Sequence, residues 1–134
     1  QALESAIEKN LVAEKKERIL IVEDNKDIRE FISVFLKIRG FSYSMASSAE
    51  EARVCFSEGD FDLLVTDVVL EAEDGISLAT ELSQIKPHLN VLVISGYIPK
   101  HLNRIKDDWR SLSKPFTGDQ LIAAIRASFL TKTR

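Results

Sequence analysis

Two hydrophobic periods alternate along this chain. "RILIVE" (18–23) is a continuous apolar run rich in Ile and Val, the pattern of a strand buried on both faces, as in parallel sheets. Residues 25–39 then place Ile28, Phe31, Ile32, Phe35 and Leu36 at helical spacing, and Gly40 stands where a helix C-terminus is expected. "FSYSMA" (41–46) alternates as a second strand, and Ser48 with Glu51 forms a capping box for a helix to about 58. "FDLLVTD" (61–67) predicts the third strand. A loop follows to Gly75, and a helix runs to about Ile85, ahead of Pro87. "NVLVIS" (90–95) predicts the fourth strand, with a short, weakly patterned helix after Pro99. "DWRSLS" (108–113) predicts the fifth. Thr117 and Gln120 form another capping box, and Leu121, Ile122, Ile125 and Phe129 give the last helix its apolar face.

Five strands alternating with helices predict an α/β domain, a parallel sheet covered on both faces. The compact arrangement is a doubly wound, flavodoxin-like sheet of order 2-1-3-4-5, whose ligand site lies at the carboxyl ends of the strands. Residues 1–17 carry only a weak stripe of Leu3, Ala6, Ile7 and Leu11 before the charged "AEKKER". Two readings stand open for them: a solvated remnant, or a connector or small dimerising helix. The domain proper spans 18–130, and 131–134 form a frayed tail.

Composition narrows the class. The chain has 134 residues, 45% hydrophobic and 29% charged, enough for one domain with a real core. A net charge of −3 gives no basic footprint for nucleic acid. The single cysteine, Cys55, excludes an internal disulfide, fits a reducing, cytoplasmic setting and reads as helix packing. No apolar run reaches the roughly 20 residues of a membrane span, and no signal-peptide pattern is present. Beginning at Gln1, the chain is expected to be a fragment of something longer.

The chemistry gathers where the strands end. Strand one ends in Glu23-Asp24, strand three in Asp67, strand four in Ser95-Gly96 and strand five in Ser113-Lys114-Pro115. Each residue alone has a plain use: Asp24 as a helix cap, Ser95 as a turn residue, Lys114 as a surface lysine. Together they bring three carboxylates, a hydroxyl and an ammonium to one rim. Three carboxylates repel one another, and one lysine offsets only part of that. A hard divalent cation such as Mg²⁺ resolves the excess. An open cation beside a carboxylate suits phosphate chemistry, with the carboxylate attacking phosphorus to form an aspartyl phosphate.

"ILIVEDN", "LLVTDVVLEAEDG", "VLVISGY" and "SKPF", in this order and spacing, resemble the receiver domain of two-component response regulators over residues 18 to about 130. The resemblance implies that Asp67 is the phosphoacceptor. It implies that Asp24 binds Mg²⁺ directly, that Glu23 supports it through water, and that the Val69 carbonyl completes the protein's share. Ser95 is then the switch hydroxyl, Gly96 leaves room for a phosphodonor, and Lys114 pairs with the phosphoryl group. A cis bond before Pro115 is expected, at a cost of only about 0.5–1 kcal/mol. The implied donor is a histidine kinase or a histidine phosphotransfer domain. The implied output is a changed surface around the last two helices, read by a downstream or intramolecular protein partner. Nucleic-acid and membrane contacts are not expected of the domain. The early end, the leading charged segment and "VISGY" point to the terminal receiver of a hybrid histidine kinase, although a stand-alone receiver is also consistent.

Departures from the family pattern are equally specific. Ser111 stands where an aromatic is usual, three residues before Lys114, and Trp109 lies two residues earlier, on the same face of the predicted strand. Glu71 replaces a common proline and, with Glu73 and Asp74, makes the loop acidic. The plain reading of that loop is a solvated one; the alternative is that it tunes metal affinity or repels wrong partners. Val69 and Tyr97 offer no carboxylate or amide to orient a hydrolytic water. His88 and His101 are not spaced as a metal pair and are expected to face solvent. Two rival readings fit the residues less well. A haloacid-dehalogenase-like phosphatase would need a second aspartate where Val69 stands. A receiver-shaped module that is never phosphorylated would not need Glu23, Asp24, Asp67, Ser95 and Lys114 together.

Overall fold

The computed structural model describes residues 17–130. In chain order the elements are β1 (Arg18–Val22), α1 (Lys26–Ile38), β2 (Ser42–Ala46), α2 (Ala49–Glu58), β3 (Leu63–Asp67), α3 (Gly75–Ile85) and β4 (Asn90–Ser95). A 3₁₀ segment (Ile98–Arg104), β5 (Arg110–Ser113) and α4 (Gly118–Leu130) complete them. The five strands form one sheet of order β2-β1-β3-β4-β5 with every neighbouring pair parallel, the doubly wound arrangement expected. The readings made for residues 1–16 and 131–134 lie outside the described residues.

The central strands are apolar throughout because successive side chains feed two separate cores. Ile19 and Ile21 of β1, Leu63 and Val65 of β3, and Leu92 and Ile94 of β4 pack with Ile32 and Leu36 of α1 and Leu121, Ile122 and Ile125 of α4. The alternate residues Leu20, Val22, Leu64, Val91 and Val93 pack with Ala52 and Phe56 of α2 and Ile76, Ala79 and Leu82 of α3. Full burial of each of the Val, Leu, Ile and Phe side chains among them contributes about 1.5–3 kcal/mol, which makes β1, β3 and β4 the buried centre of the molecule. Among the described residues no helix is long and apolar enough to cross a membrane.

The helix ends are built as the sequence signals, with informative exceptions. Asn25, not Asp24, caps α1: its side chain accepts from the Ile28 N–H at 3.0 Å. Asp24 is therefore free of that task. At the other end Gly40 takes φ +80°, and the Gly40 and Phe41 N–H groups donate to the Lys37 and Leu36 carbonyls, a closed αL termination that favours glycine. At α2, Ser48 accepts from the Glu51 N–H at 3.0 Å, but the Glu51 carboxylate reaches one residue further back, to the Ser47 N–H at 2.6 Å. The Thr117–Gln120 box closes in both directions, at 2.9 and 3.1 Å.

Two elements differ from expectation. The segment around Pro99 is a 3₁₀ turn that begins at Ile98, since weak periodicity supplies no broad apolar face to hold a longer α-helix. The fifth strand is shorter than predicted and excludes Asp108 and Trp109. The Trp109 N–H donates to the Lys106 carbonyl, and its ring is buried in the α2–α3 core beside Ile105. The aromatic ends the preceding turn by filling the core, and pairing with β4 starts only at Arg110.

Candidate functional site

Four strand ends meet on one rim. β1 delivers Glu23 and Asp24, β3 ends in Asp67, and β4 pairs Ser95 with Ser113, one residue before Lys114. Glu23, Asp67 and Ser95 are buried, and Asp24 is exposed. One carboxylate oxygen from each of Glu23, Asp24 and Asp67 lies within 4.8 Å of the others. The Lys114 ammonium is paired with Asp67 Oδ2 and lies 3.9 Å from Glu23 Oε1.

Each group is fixed from behind by backbone. Glu23 Oε2 accepts from the Asn25 N–H at 3.0 Å, and the Glu23 carbonyl accepts from Arg29 at 2.8 Å. Asp67 Oδ1 accepts from the Val69 N–H at 3.1 Å, leaving Oδ2 to Lys114. The Ser95 hydroxyl accepts from the Tyr97 N–H at 3.0 Å, so its own proton can be donated elsewhere. The Ser95 carbonyl accepts from the Lys114 N–H at 2.9 Å, which locks the lysine strand end to β4. The Lys114–Pro115 bond is cis, as expected. Gly96 is exposed, and a Cβ there would meet nothing within 4 Å, so that position borders open space.

The electrostatics carry unbalanced negative charge. Burial, and after it the charge of Asp67, pushes the Glu23 carboxyl up to about 7, against the Asn25 hydrogen bond and the charge of Lys114. Burial works against the Lys114 ammonium, but the Asp67 hydrogen bond and charge, then Glu23 and Asp24, outweigh it and raise that group's pKa. Three oxygen donors in reach of one another and a carboxyl held near neutrality fit a hard divalent cation, which would keep Glu23 ionised. The loop after Asp67 fits the same purpose. Val68 donates to the Ile94 carbonyl at 2.9 Å, and Gly75 N–H closes back on the Val68 carbonyl at 2.8 Å. A Cβ at Gly75 would lie 1.8 Å from the Asp67 carbonyl oxygen, so only glycine lets the chain return so close to the strand.

Glu23, Asp24, Asp67, Ser95 and Lys114 meet on this rim, with Val69, Gly96 and Pro115 within two residues of them in the chain. Gly75, Arg53 and Arg104 were not singled out from the sequence. Asp74 caps α3 through the Ile76 N–H at 3.2 Å and pairs with Arg104, and Glu73 pairs with Arg53. Asp before an apolar helical run was a legible cap signal. The arginines had none, because they come from distant positions in the chain. Ser111 is exposed on β5, and Trp109 is buried below it. His88 is exposed, whereas His101 is half-buried. Cys55 is half-buried against the α2–α3 core, where burial pushes its thiol up, away from reactivity.

The family model described as the response regulator receiver domain matches residues 19–126. The chain is similar to the response regulator receiver protein CpdR of Brucella abortus, with 36% identity over 102 residues, covering 74% of this chain and 85% of that protein. Other curated relatives are longer: the chain spans about a quarter of the transcriptional regulatory protein DctD of Rhizobium meliloti and half of the transcriptional regulatory protein DltR of Streptococcus agalactiae. Among solved structures, a response regulator receiver protein from Sinorhizobium medicae superposes with a TM-score of 0.80 at 26% identity, covering 88% of this chain and 98% of that one. The response regulator protein TrrA from Thermotoga maritima, solved in complex with Mg²⁺-BeF, gives 0.74 at 25% identity, covering 84% and 98%.

Proposed function

The chain belongs to the response regulator receiver domain family, and on that premise we propose that Asp67 is its phosphoacceptor and that Glu23, Asp24, Asp67 and the Val69 carbonyl hold Mg²⁺. Receiver domains accept a phosphoryl group from histidine kinases on an aspartate with Mg²⁺ and act as phosphorylation-dependent switches. The observation that carries the residue assignment is the Lys114–Asp67 ion pair set among the Glu23 and Asp24 carboxylates.

Bound among these oxygens, Mg²⁺ would withdraw charge from a phosphoryl oxygen. The protein's own groups supply the rest. A carboxylate oxygen of Asp67 attacks phosphorus as the P–N bond of the donor phosphohistidine breaks, and the electron pair returns to the leaving imidazole. Lys114, held by the β4–β5 pairing, balances charge on the transferred group. Ser95 donates its hydroxyl proton to a phosphoryl oxygen, and Gly96 leaves the approach clear. The transferred group brings new negative charge to the rim and biases an existing two-state surface, which a partner reads. A histidine kinase or a histidine phosphotransfer domain is the donor in this reading. A stand-alone receiver and a receiver attached to a histidine kinase are both settings in which this reading holds. A phosphatase with an aspartyl nucleophile has no acid at Val69, whose side chain is exposed and apolar.

Incubation with acetyl phosphate and Mg²⁺, followed by intact mass, tests the assignment. One phosphoryl adduct is expected on the wild type and none on Asp67→Asn or in excess EDTA. An adduct that survives Asp67→Asn removes Asp67 from the role.

A further inference from the structure

We propose that Arg53, on α2, is a positioning residue for the phosphoryl site: it holds the acidic loop that carries the Val69 carbonyl. This inference rests on the receiver reading of Asp67 and its metal site.

The loop is a very small closed structure. Val69 and Asp74 form an antiparallel bridge, and the Leu70 N–H donates to the Glu73 carbonyl at 3.2 Å. Val69 touches the chemistry through its backbone: its N–H binds Asp67 Oδ1, and its carbonyl is the proposed metal donor. A hairpin of this size is marginal by itself and needs an outside support. Arg53 reaches it from α2. Its guanidinium donates to both Glu73 oxygens, at 2.9 and 2.5 Å, and to both Glu81 oxygens on α3, at 2.9 and 3.1 Å. Loop, α2 and α3 are thus joined through one planar fork, a geometry that lysine cannot reproduce.

Solvent exposure decides what this network does. Arg53, Glu73 and Glu81 are 35%, 39% and 45% exposed, and ion pairs that exposed add little stability. Four directional hydrogen bonds still fix the position of Glu73, four residues from Val69. Groups that orient metal donors without touching the metal typically matter about tenfold or more in affinity. The acidity of the loop therefore has a structural use, since Glu73 is the handle by which α2 grips it.

Magnesium titration of the full chain by calorimetry, with melting curves beside it, tests this in Arg53→Met, Arg53→Lys and the control Lys86→Met. Charge alone predicts that Arg53→Met binds Mg²⁺ more tightly, because a cation near the site is lost, and that Arg53→Lys changes nothing. Positioning predicts that both bind about tenfold more weakly, with phosphorylation by acetyl phosphate recovered at saturating Mg²⁺. Lys86→Met cuts the ion pair to Asp60, below Phe61, and should keep wild-type affinity. If Arg53→Met does not fold, Arg53→Lys carries the comparison, since its charge is unchanged. Folded Arg53 variants with Mg²⁺ affinity equal to or tighter than wild type overturn the positioning role, while Mg²⁺-dependent labelling lost in Asp67→Asn would leave the receiver reading standing. A wild type that takes no label overturns both.

Discussion

At the scale of residues, the site depends as much on backbone approach as on charge. Gly75 lets the loop return against the Asp67 carbonyl, where a Cβ would sit 1.8 Å away. Gly75→Ala should therefore cost about 3 kcal/mol, since the obstacle is backbone that cannot step aside; urea denaturation measures it, and a cost below about 1 kcal/mol would contradict the packing. Val69 and Tyr97, which follow Asp67 and Ser95 by two residues, have side chains 70% and 63% exposed. Neither can orient a water for in-line attack on the acyl phosphate, so the phosphorylated protein should hydrolyse slowly compared with receivers carrying an amide or carboxylate there. Loss of the adduct followed by intact mass checks this, and a half-life of seconds would refute it. Introducing Asn at Val69 should shorten the lifetime.

At the scale of elements, β5 and its approach carry the departure from the family pattern. Ser111 leaves an exposed position where an aromatic is usual, and Trp109 is 7% exposed in the core below it. Trp109 is thus part of the packing and does not replace the missing surface aromatic. Trp109→Ala should cost about 3–5 kcal/mol in denaturant unfolding yet retain Mg²⁺-dependent labelling of Asp67 in the folded fraction. Ser111→Ala should change stability by less than about 0.5 kcal/mol. A comparably large loss at Ser111 would mean that the strand face is more enclosed than its exposure indicates. The 3₁₀ segment, tied to the loop after Asp67 by the Arg104–Asp74 pair, joins β4 to β5 and gives that loop a second link beside Arg53.

At the scale of the whole molecule, the rim sets a pH dependence of stability. Glu23 holds its proton up to about 7 in the folded protein and ionises near 4.3 in an unfolded chain. The folded state therefore binds more protons across that interval. Its contribution is fully present below the unfolded pKa and is lost as pH rises through about 7. In EDTA, stability should fall on the order of 2 kcal/mol between pH 5 and pH 8. Magnesium should shrink that loss, because it binds the folded, ionised site alone. The lowered carboxylates Glu51, Asp60 and Glu73 act in the opposite sense but below pH 5, outside the window. Chemical denaturation at the two pH values, with and without Mg²⁺, measures both effects; greater stability at pH 8 in EDTA would refute the assignment to Glu23.

The sequence by itself determined the parts that depend on local pattern. Continuous apolar runs specified β1, β3 and β4 because both faces of those strands are buried. Capping boxes specified the starts of α2 and α4, and Gly40 the end of α1. Parallel strand order then brought Glu23, Asp24, Asp67, Ser95 and Lys114 to one rim, as their places at strand ends foretold. Only the tertiary structure decided what depends on distance between remote segments. It moved Trp109 out of the predicted strand, because a large ring gains more by filling the core than by lying on an edge strand. It gave the cap of α1 to Asn25 and so kept Asp24 for the rim. It also gave the acidic loop two roles that no local pattern could show. Asp74 caps α3 and meets Arg104, and Glu73 meets an arginine 20 residues before it in the chain. Periodicity records which face a residue turns inward; which charge it meets there is set by the packing of elements far apart in sequence.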